Sequence, residues 1–307
     1  MQEAIAEEVL RAPGTGRGLP LPWWAKIAAK LVLSRLPVGY RGWARLGLFR
    51  HGRTDRDPAR PVTAFESAFA AWAARRQGPP SAMLELGPGD SLGSALAAAA
   101  RGVPRSVLVD TGDFATRDMR HYAAVAALLA ARGTPAPPPG MDREAMLAAA
   151  GAQYLTGGVA SLAALPAASV ELSWSVAVLE HVRRAEMPRL FAELHRVTAP
   201  GGLGWHWVDL MDHLGGGLES LRFGARLWEA PWFAARSGFY TNRLRESELL
   251  ALARAAGFRA AIAWRERWPA PPLPQARMAA PFRRMPEAEL RVSAIRLLLM
   301  KPGHAGI

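Results

Sequence analysis

The 307-residue chain reads as an α/β protein: a mostly parallel, seven-stranded sheet with helices on both faces, preceded by a basic helical segment and interrupted late by an insertion. Three observations predict this. From residue 79 onward, short apolar runs alternate with amphipathic, often alanine-rich stretches, the pattern of strand–helix–strand units. The run Met83-Leu84-Glu85-Leu86 is followed at once by Gly87, Gly89 and Gly93 and then by an alanine-rich helix, Ser94 to Ala100. Polar residues end several strands, at Asp110, Ser175 and Asp209, so they gather at the carboxyl edge of the sheet, where ligands of open α/β sheets bind.

The elements follow in order. Trp23 to Leu36 has helical spacing, with Trp24, Ile27, Ala28 and Leu31 as an apolar stripe and Lys26 and Lys30 on another side; Pro37 and Gly39 end it. Residues 42 to 49 repeat the theme with Trp43, Leu46 and Leu48. Val62 to Arg75 is a helix, and Gly78-Pro79-Pro80 a hinge before the first strand. Ser106 to Asp110 is the second strand and Ala115 to Ala131 a helix. After a proline-rich loop, Met141 to Ala150 is a helix and Ala152 to Thr156 the third strand. Val170 to Ser175 is the fourth strand. Ala185 to Val197 carries Met187, Leu190, Phe191, Leu194 and Val197 at helical spacing, and Pro200-Gly201-Gly202 separates it from a fifth strand, Leu203 to Leu210. Glu246 to Ala256 is a helix, and Phe258 to Trp264 and Arg291 to Met300 are the last two strands. The expected division is a basic helical segment over 1–78, a core over 79–214, an insertion over 215–245 and the remainder of the core sheet over 246–307.

Composition narrows the classes. Half of the residues are hydrophobic and both charge signs are present, which describes a globular chain rather than a disordered one. No stretch of about 18 uninterrupted apolar residues is present, as a membrane span would require. The first eight residues are acidic and lack the apolar run of a signal peptide, so a cytoplasmic location is expected. The absence of cysteine excludes disulfides, thiolate metal sites and cysteine nucleophiles. The formal net charge is +12, and residues 14–60 hold ten Lys/Arg against Asp55 and Asp57, a net of +8. So concentrated a charge suits an anionic partner or a solvated face. Through residues 23–50 it also suits peripheral contact at the inner membrane face.

The glycine turn separates two cofactor classes. A dinucleotide fingerprint spaces its glycines G-x-G-x-x-G; here Gly87, Gly89 and Gly93 are one residue too widely spaced, and Asp90 would face a pyrophosphate. Bare backbone at Gly87 and Gly89, an acid at Glu85 and a helix N-terminus beyond suit a nucleoside cofactor bearing an ammonium group. Asp110 lies 21 residues past Gly89, where a carboxylate accepts hydrogen bonds from ribose hydroxyls, although Asp110-Thr111-Gly112-Asp113 also suits a turn or helix cap.

The segment Glu85-Leu86-Gly87-Pro88-Gly89 resembles motif I of the class I S-adenosylmethionine-dependent methyltransferases, E/D-x-G-x-G. The run Leu165-Pro166-Ala167-Ala168-Ser169-Val170-Glu171, continuing to Ser175 and Leu179-Glu180-His181-Val182, is similar to the pattern of the small-molecule type 11-like branch of that family. Leu194-His195-Arg196-Val197-Thr198-Ala199-Pro200-Gly201-Gly202 resembles its next landmark. The resemblance covers about 83–209 and more loosely extends to 301. It implies a Rossmann-like fold with S-adenosyl-L-methionine as cofactor, held by Glu85, Gly87, Pro88, Gly89, Asp110, Thr111, Ser161, Ser175 and Val176. Two departures stand out: Glu171 replaces the usual Asp, and the loop 156–162 has no acid for the adenine amino group, leaving backbone groups and Ser161.

Methyl transfer to a hydroxyl needs a base. The candidates at strand ends are His181, His206, Asp209, Asp212 and His213, with His181, Asp209 and His213 taken as the catalytic set; no metal is assigned, although Asp209, Asp212 and His213 are the residues that would hold one. The insertion mixes Phe223, Trp228, Trp232, Phe233, Phe239 and Tyr240 with five arginines, a composition suited to a lid over a glycan-like, lipid-linked or phosphate-bearing acceptor. Phe239-Tyr240-Thr241-Asn242-Arg243-Leu244-Arg245 resembles methyltransferases found with bacterial surface-polysaccharide synthesis. The leading expectation is O-methylation of a small or glycan-like acceptor. Alternatives are carbon methylation of a quinone or polyketide, and a non-catalytic protein that keeps the cofactor fold. A nucleic-acid acceptor, which the positive charge would suit, is not the expectation, and the absence of an N-P-P-Y-like run after the fourth strand argues against methylation of exocyclic amino groups of bases.

Overall fold

Parallel strands buried on both faces are continuous apolar runs, and those runs build the sheet. The computed structural model describes residues 7–11, 22–33, 56–236 and 238–303. Its strands are β1 (Glu8–Leu10), β2 (Met83–Leu86), β3 (Ser106–Val109), β4 (Ala152–Leu155), β5 (Val170–Val176), β6 (Thr198–Asp209), β7 (Arg259–Arg267) and β8 (Val292–Met300). They form one eight-stranded sheet in the order β1-β7-β8-β6-β5-β2-β3-β4. Pairing from β4 to β6 is parallel throughout, and β8 runs antiparallel to both β6 and β7. The carboxyl ends of β2, β3, β4, β5 and β6 therefore share one edge, which is where the polar strand-end residues lie.

Helices cover both faces, and the two-residue period of the strands decides which face each side chain meets. Met83 and Trp174 point to the side of α2 (Ala59–Ala73), α3 (Gly93–Ala100), α4 (Met119–Ala131) and α5 (Arg143–Ala149), packing with Phe65, Leu96, Tyr122 and Met146. Leu84, Leu86 and Val208 point the other way. There, after the short helix α6 (Val159–Leu162), they meet Phe191 and Leu194 of α7 (Met187–Val197) and Leu249 of α10 (Glu246–Ala255). Val62, Phe65 and Ala68 are fully buried, so α2 seals the sheet face beside the glycine turn.

The structure departs from the sequence reading in three places. The sheet has eight strands rather than seven, because residues 8–10 add to β7 in parallel. Three residues carry no periodicity to read; the strand is held by Glu8 against Arg265 and Arg267 and by Arg11 against Glu266 at 2.7 Å. β6 begins at Thr198, not at 203, since the Pro-Gly-Gly stretch stays paired: Gly201 N–H donates to the Lys301 carbonyl and Lys301 N–H to that of Gly202. In α1 (Trp23–Leu33) the inward residues are Trp23 and Ile27, while Trp24 is 60% exposed, so the buried stripe is rotated from the expected one. The expected second basic helix, residues 42–49, lies outside the described residues.

A layer over the carboxyl edge completes the molecule. Residues of the insertion form α8 (Ala225–Trp228) and α9 (Pro231–Arg236), whose Trp228 and Phe233 pack with Leu214, Phe239 and Tyr240 and with Trp23 and Ile27 of α1. Lys26 fastens α1 from below, its ammonium donating to the Leu214 carbonyl at 2.8 Å. A second small core joins Leu218 and Leu221 to Trp268, Leu273, Met278, Phe282 and Leu290 from the β7–β8 connection. That connection includes α11 (Ala280–Arg283) and α12 (Glu287–Leu290).

Candidate active site

The cleft is built first by the turn after β2. Gly87 and Gly89 have φ of +66° and +69°, a region costly for residues with a Cβ. A Cβ at Gly87 would lie 2.4 Å from Val178 Cγ2, so the loop after β5 packs directly on this glycine. Pro88 is buried between the two. Behind the turn, Ser91 Oγ and His121 Nε2 are 2.7 Å apart, and Gly93 N–H donates to Ser91 Oγ, which fixes the loop to α4.

Asp110, one residue beyond β3, takes its place through the backbone: its N–H donates to the Leu155 carbonyl. Its carboxylate accepts from Gly89 N–H at 3.0 Å and from Thr111 N–H at 2.7 Å, which ties the second strand to the glycine turn and keeps the acid at the cleft rim. Thr111 packs near Gly158, which starts α6. Ser161 Oγ accepts from Gly157 N–H at 3.0 Å, so its hydroxyl oxygen holds the 156–162 turn. Val176, at the end of β5, is 40% exposed, and Ala177 beyond it has φ of +55°, a left-handed turn held by its N–H to the Trp207 carbonyl.

Two expected contacts are not presented to the cleft. Glu85 is 6% exposed and accepts from the Ser94 hydroxyl of α3. Burial is the main cause that pushes its carboxyl up to about 8; the Ser94 bond opposes this and nearby Asp110 adds to it. Glu85 thus braces the turn–helix junction as a neutral acid and does not lie open to a ligand's ammonium. Ser175 is fully buried, with Oγ 2.9 Å from His206 Nδ1, because both side chains point into the α7-side core. His206 is also fully buried, and burial followed by the Arg296 charge presses its pKa down to about 3. It stays neutral and cannot serve as an accessible base.

The fold brings two of the three expected catalytic side chains together. His181, just past β5, and His213, just past β6, are both exposed, with ring centroids 4.8 Å apart. His181 Nδ1 donates to the Tyr240 carbonyl at 3.2 Å, so the neutral ring carries its lone pair on Nε2. Asp209 lies at the end of β6. Its carboxylate accepts from Met211 N–H at 2.8 Å, and burial raises it to about 6. Its own N–H donates to Glu180, a 3% exposed acid whose pKa is raised well above the usual value by burial and by Asp209. Asp212 accepts from Leu214, Gly215 and Ser220 N–H groups, which makes it the organiser of the loop after β6. Among the described residues no group of three or more His, Asp or Glu is arranged to hold a metal ion.

Sequence reasoning missed the residues that seat the roof. Asn242 Nδ2 donates to the carbonyls of Leu179 and Val182 at 2.7 and 3.0 Å, its Oδ1 accepts from Leu244 N–H, and its N–H reaches the Glu180 carbonyl. Arg243, with φ of +59°, donates to the Phe223 carbonyl and stands over the Trp228 and Phe282 rings. Arg245 is 1% exposed and donates to the carbonyls of Leu210, Glu289 and Val292. The only sequence signal was the run 239–245 itself.

The glycine turn, the rim carboxylate at Asp110 and the exposed Val176 are the places where the sequence reading puts an adenosyl group. Residues 84–205 match the family model described as a methyltransferase domain. No curated protein sequence matches the chain significantly. Among solved structures, the chain is similar to the Burkholderia thailandensis 1,6-didemethyltoxoflavin-N1-methyltransferase with bound 1,6-didemethyltoxoflavin and S-adenosylhomocysteine (TM-score 0.45, 16% identity, 95% of this chain and 98% of that one). It is also similar to the Haemonchus contortus phosphoethanolamine N-methyltransferase 2 in complex with S-adenosyl-L-methionine (TM-score 0.42, 13% identity, 80% and 52%). A third likeness is to the CurJ carbon methyltransferase (TM-score 0.40, 11% identity, 79% and 54%).

Proposed function

We propose that this chain, whose residues 84–205 are a class I S-adenosylmethionine-dependent methyltransferase domain, methylates a hydroxyl oxygen of a small or glycan-like acceptor. The observation that carries the reading is the His181–His213 pair, two exposed imidazoles 4.8 Å apart at the ends of adjacent strands. Gly87, Gly89, Asp110 and Val176 would hold the cofactor, which supplies a methyl group on a positively charged sulfur. The acceptor oxygen forms the new bond to that methyl carbon as the carbon–sulfur bond breaks, and the hydroxyl proton must leave. His181 Nε2 is the basic nitrogen of its ring, because Nδ1 is engaged by Tyr240, and it takes that proton. His213 beside it orients the acceptor hydroxyl.

The test is an acceptor screen with methyl-labelled S-adenosylmethionine, starting from nucleotide sugars and lipid-linked glycans, with the methylated atom identified by NMR. His181→Asn should lower kcat by about 100-fold or more while leaving S-adenosylhomocysteine affinity within about twofold. Label found on carbon or nitrogen, or full activity in His181→Asn, would sink the hydroxyl reading.

A further inference from the structure

The roof carries both tryptophans among the exposed large apolar side chains of the described residues. Trp23, Phe223, Trp228, Phe233 and Trp232 form a continuous chain of ring contacts, with successive centroids 5.4, 5.4, 5.1 and 5.6 Å apart. Its interior is well packed, since Trp228 is fully buried and Phe233 nearly so. Yet Trp24, next to Trp23, is 60% exposed, Trp232 is 52% exposed and Leu227 is 39% exposed. α1, α8 and α9 therefore carry large apolar side chains both into the roof and out of it.

The charge around these residues is positive. Both acids of the insertion are turned inward: Glu219 pairs with Arg222, and Glu229 accepts from the Tyr240 hydroxyl at 2.8 Å and lies 3.7 Å from Arg243. Arg226 is exposed on α8 between the buried Trp228 and the solvent. α1 contains Lys26 and Lys30 and no acid.

We propose that this roof is a docking surface for an anionic lipid bilayer. Tryptophan has an apolar body and one polar N–H, which suits the boundary between headgroups and acyl chains. Basic residues around it add attraction to anionic headgroups that salt weakens. A protein partner would more often meet a flat apolar core depleted in lysine. Among the described residues no helix is long and apolar enough to cross a membrane, so the contact is peripheral. The inference rests on the roof alone and holds whichever atom is methylated.

The test is flotation of the full chain with phosphatidylcholine vesicles, with and without a minority of phosphatidylglycerol. The protein should float only with the anionic vesicles and less so in high salt. The double substitution Trp24→Ser, Trp232→Ser should cut the bound fraction about tenfold; Arg226→Glu should weaken it as well. Unchanged S-adenosylhomocysteine binding by calorimetry checks that each variant is folded. Failure of the wild-type chain to float, or flotation that the tryptophan pair does not alter, would overturn the proposal. So would a dimer in sedimentation that the double substitution dissociates, because the face would then be a self-association surface.

Discussion

Replacing Glu85 by Gln should remove a pH-dependent loss of stability that the wild-type fold carries. Folded, this carboxyl titrates near 8, against 4.5 as the ordinary value for an unfolded chain. The folded form therefore keeps a proton that the unfolded form releases, so the group favours folding at low pH. Its contribution shrinks as pH rises above 4.5 and is gone once pH passes about 8. At about 1.4 kcal/mol for each pH step over which only the folded state is protonated, and with the folded carboxyl half ionised at the upper end, the interval from about pH 6 to about pH 8 corresponds to about 2 kcal/mol. Glutamine retains the carbonyl oxygen that accepts from Ser94 and has no proton to lose, so the packing is kept while the titration is removed. Asp209, raised to about 6, titrates in both proteins and cancels from the comparison. The assay is urea unfolding at the two pH values: the wild-type free energy should fall by about 2 kcal/mol more than that of Glu85→Gln. Equal pH slopes in the two proteins would show that Glu85 is ionised in the fold and that the buried-acid assignment is wrong.

Three further outcomes follow from the cleft. Asp110→Ala should weaken S-adenosylhomocysteine binding by about 10- to 100-fold, because it removes a charged acceptor and frees Gly89 N–H; calorimetric titration reads this directly. Gly87→Ala puts a Cβ 2.4 Å from Val178 at a φ of +66°, and thermal unfolding should show about 1–3 kcal/mol lost, with cofactor binding reduced as the turn shifts. Asn242→Ala strips the Leu179 and Val182 carbonyls of a shared donor; about 2–3 kcal/mol of stability should go. In that last variant, proteolysis should open the roof at lower protease levels while circular dichroism of the sheet stays unchanged.

Much of the fold was legible because buried parallel strands are written as short apolar runs, and β2, β3 and β5 begin where those runs begin. β1 was not, since three residues gain strand character only from Arg265 and Arg267 far along the chain. The core between Leu218 and the 268–290 connection was equally invisible: its residues come from two separate loops and meet only in space. In the site, the left-handed turn at Gly87 and Gly89 was legible because glycine is the residue such a turn demands, and Asp110 because it ends an apolar run. The burial of Glu85, Ser175 and His206 was not legible, for one shared reason. Being at the carboxyl end of a strand does not say which face the side chain takes, and strand phase turns Glu85 toward α3 and the other two into the α7-side core.

The segment 240–245 shows why the roof and the chemistry cannot be considered apart. Thr241 accepts from the Trp228 indole, Asn242 grips the turn that carries His181, and the Tyr240 carbonyl selects the His181 tautomer. Arg245 then bolts the same segment to the ends of β6 and β8 through the Leu210 and Val292 carbonyls. A hinge at this point would break all of these bonds together, each in a buried setting where a lost partner is costly. The other end of the roof carries bonds of its own. There α8 is held by the Trp228 indole on the Thr241 carbonyl and, just past its end, by Arg183 on the Glu229 carbonyl at 2.5 Å, while α1 is held by ring packing and the Lys26–Leu214 bond.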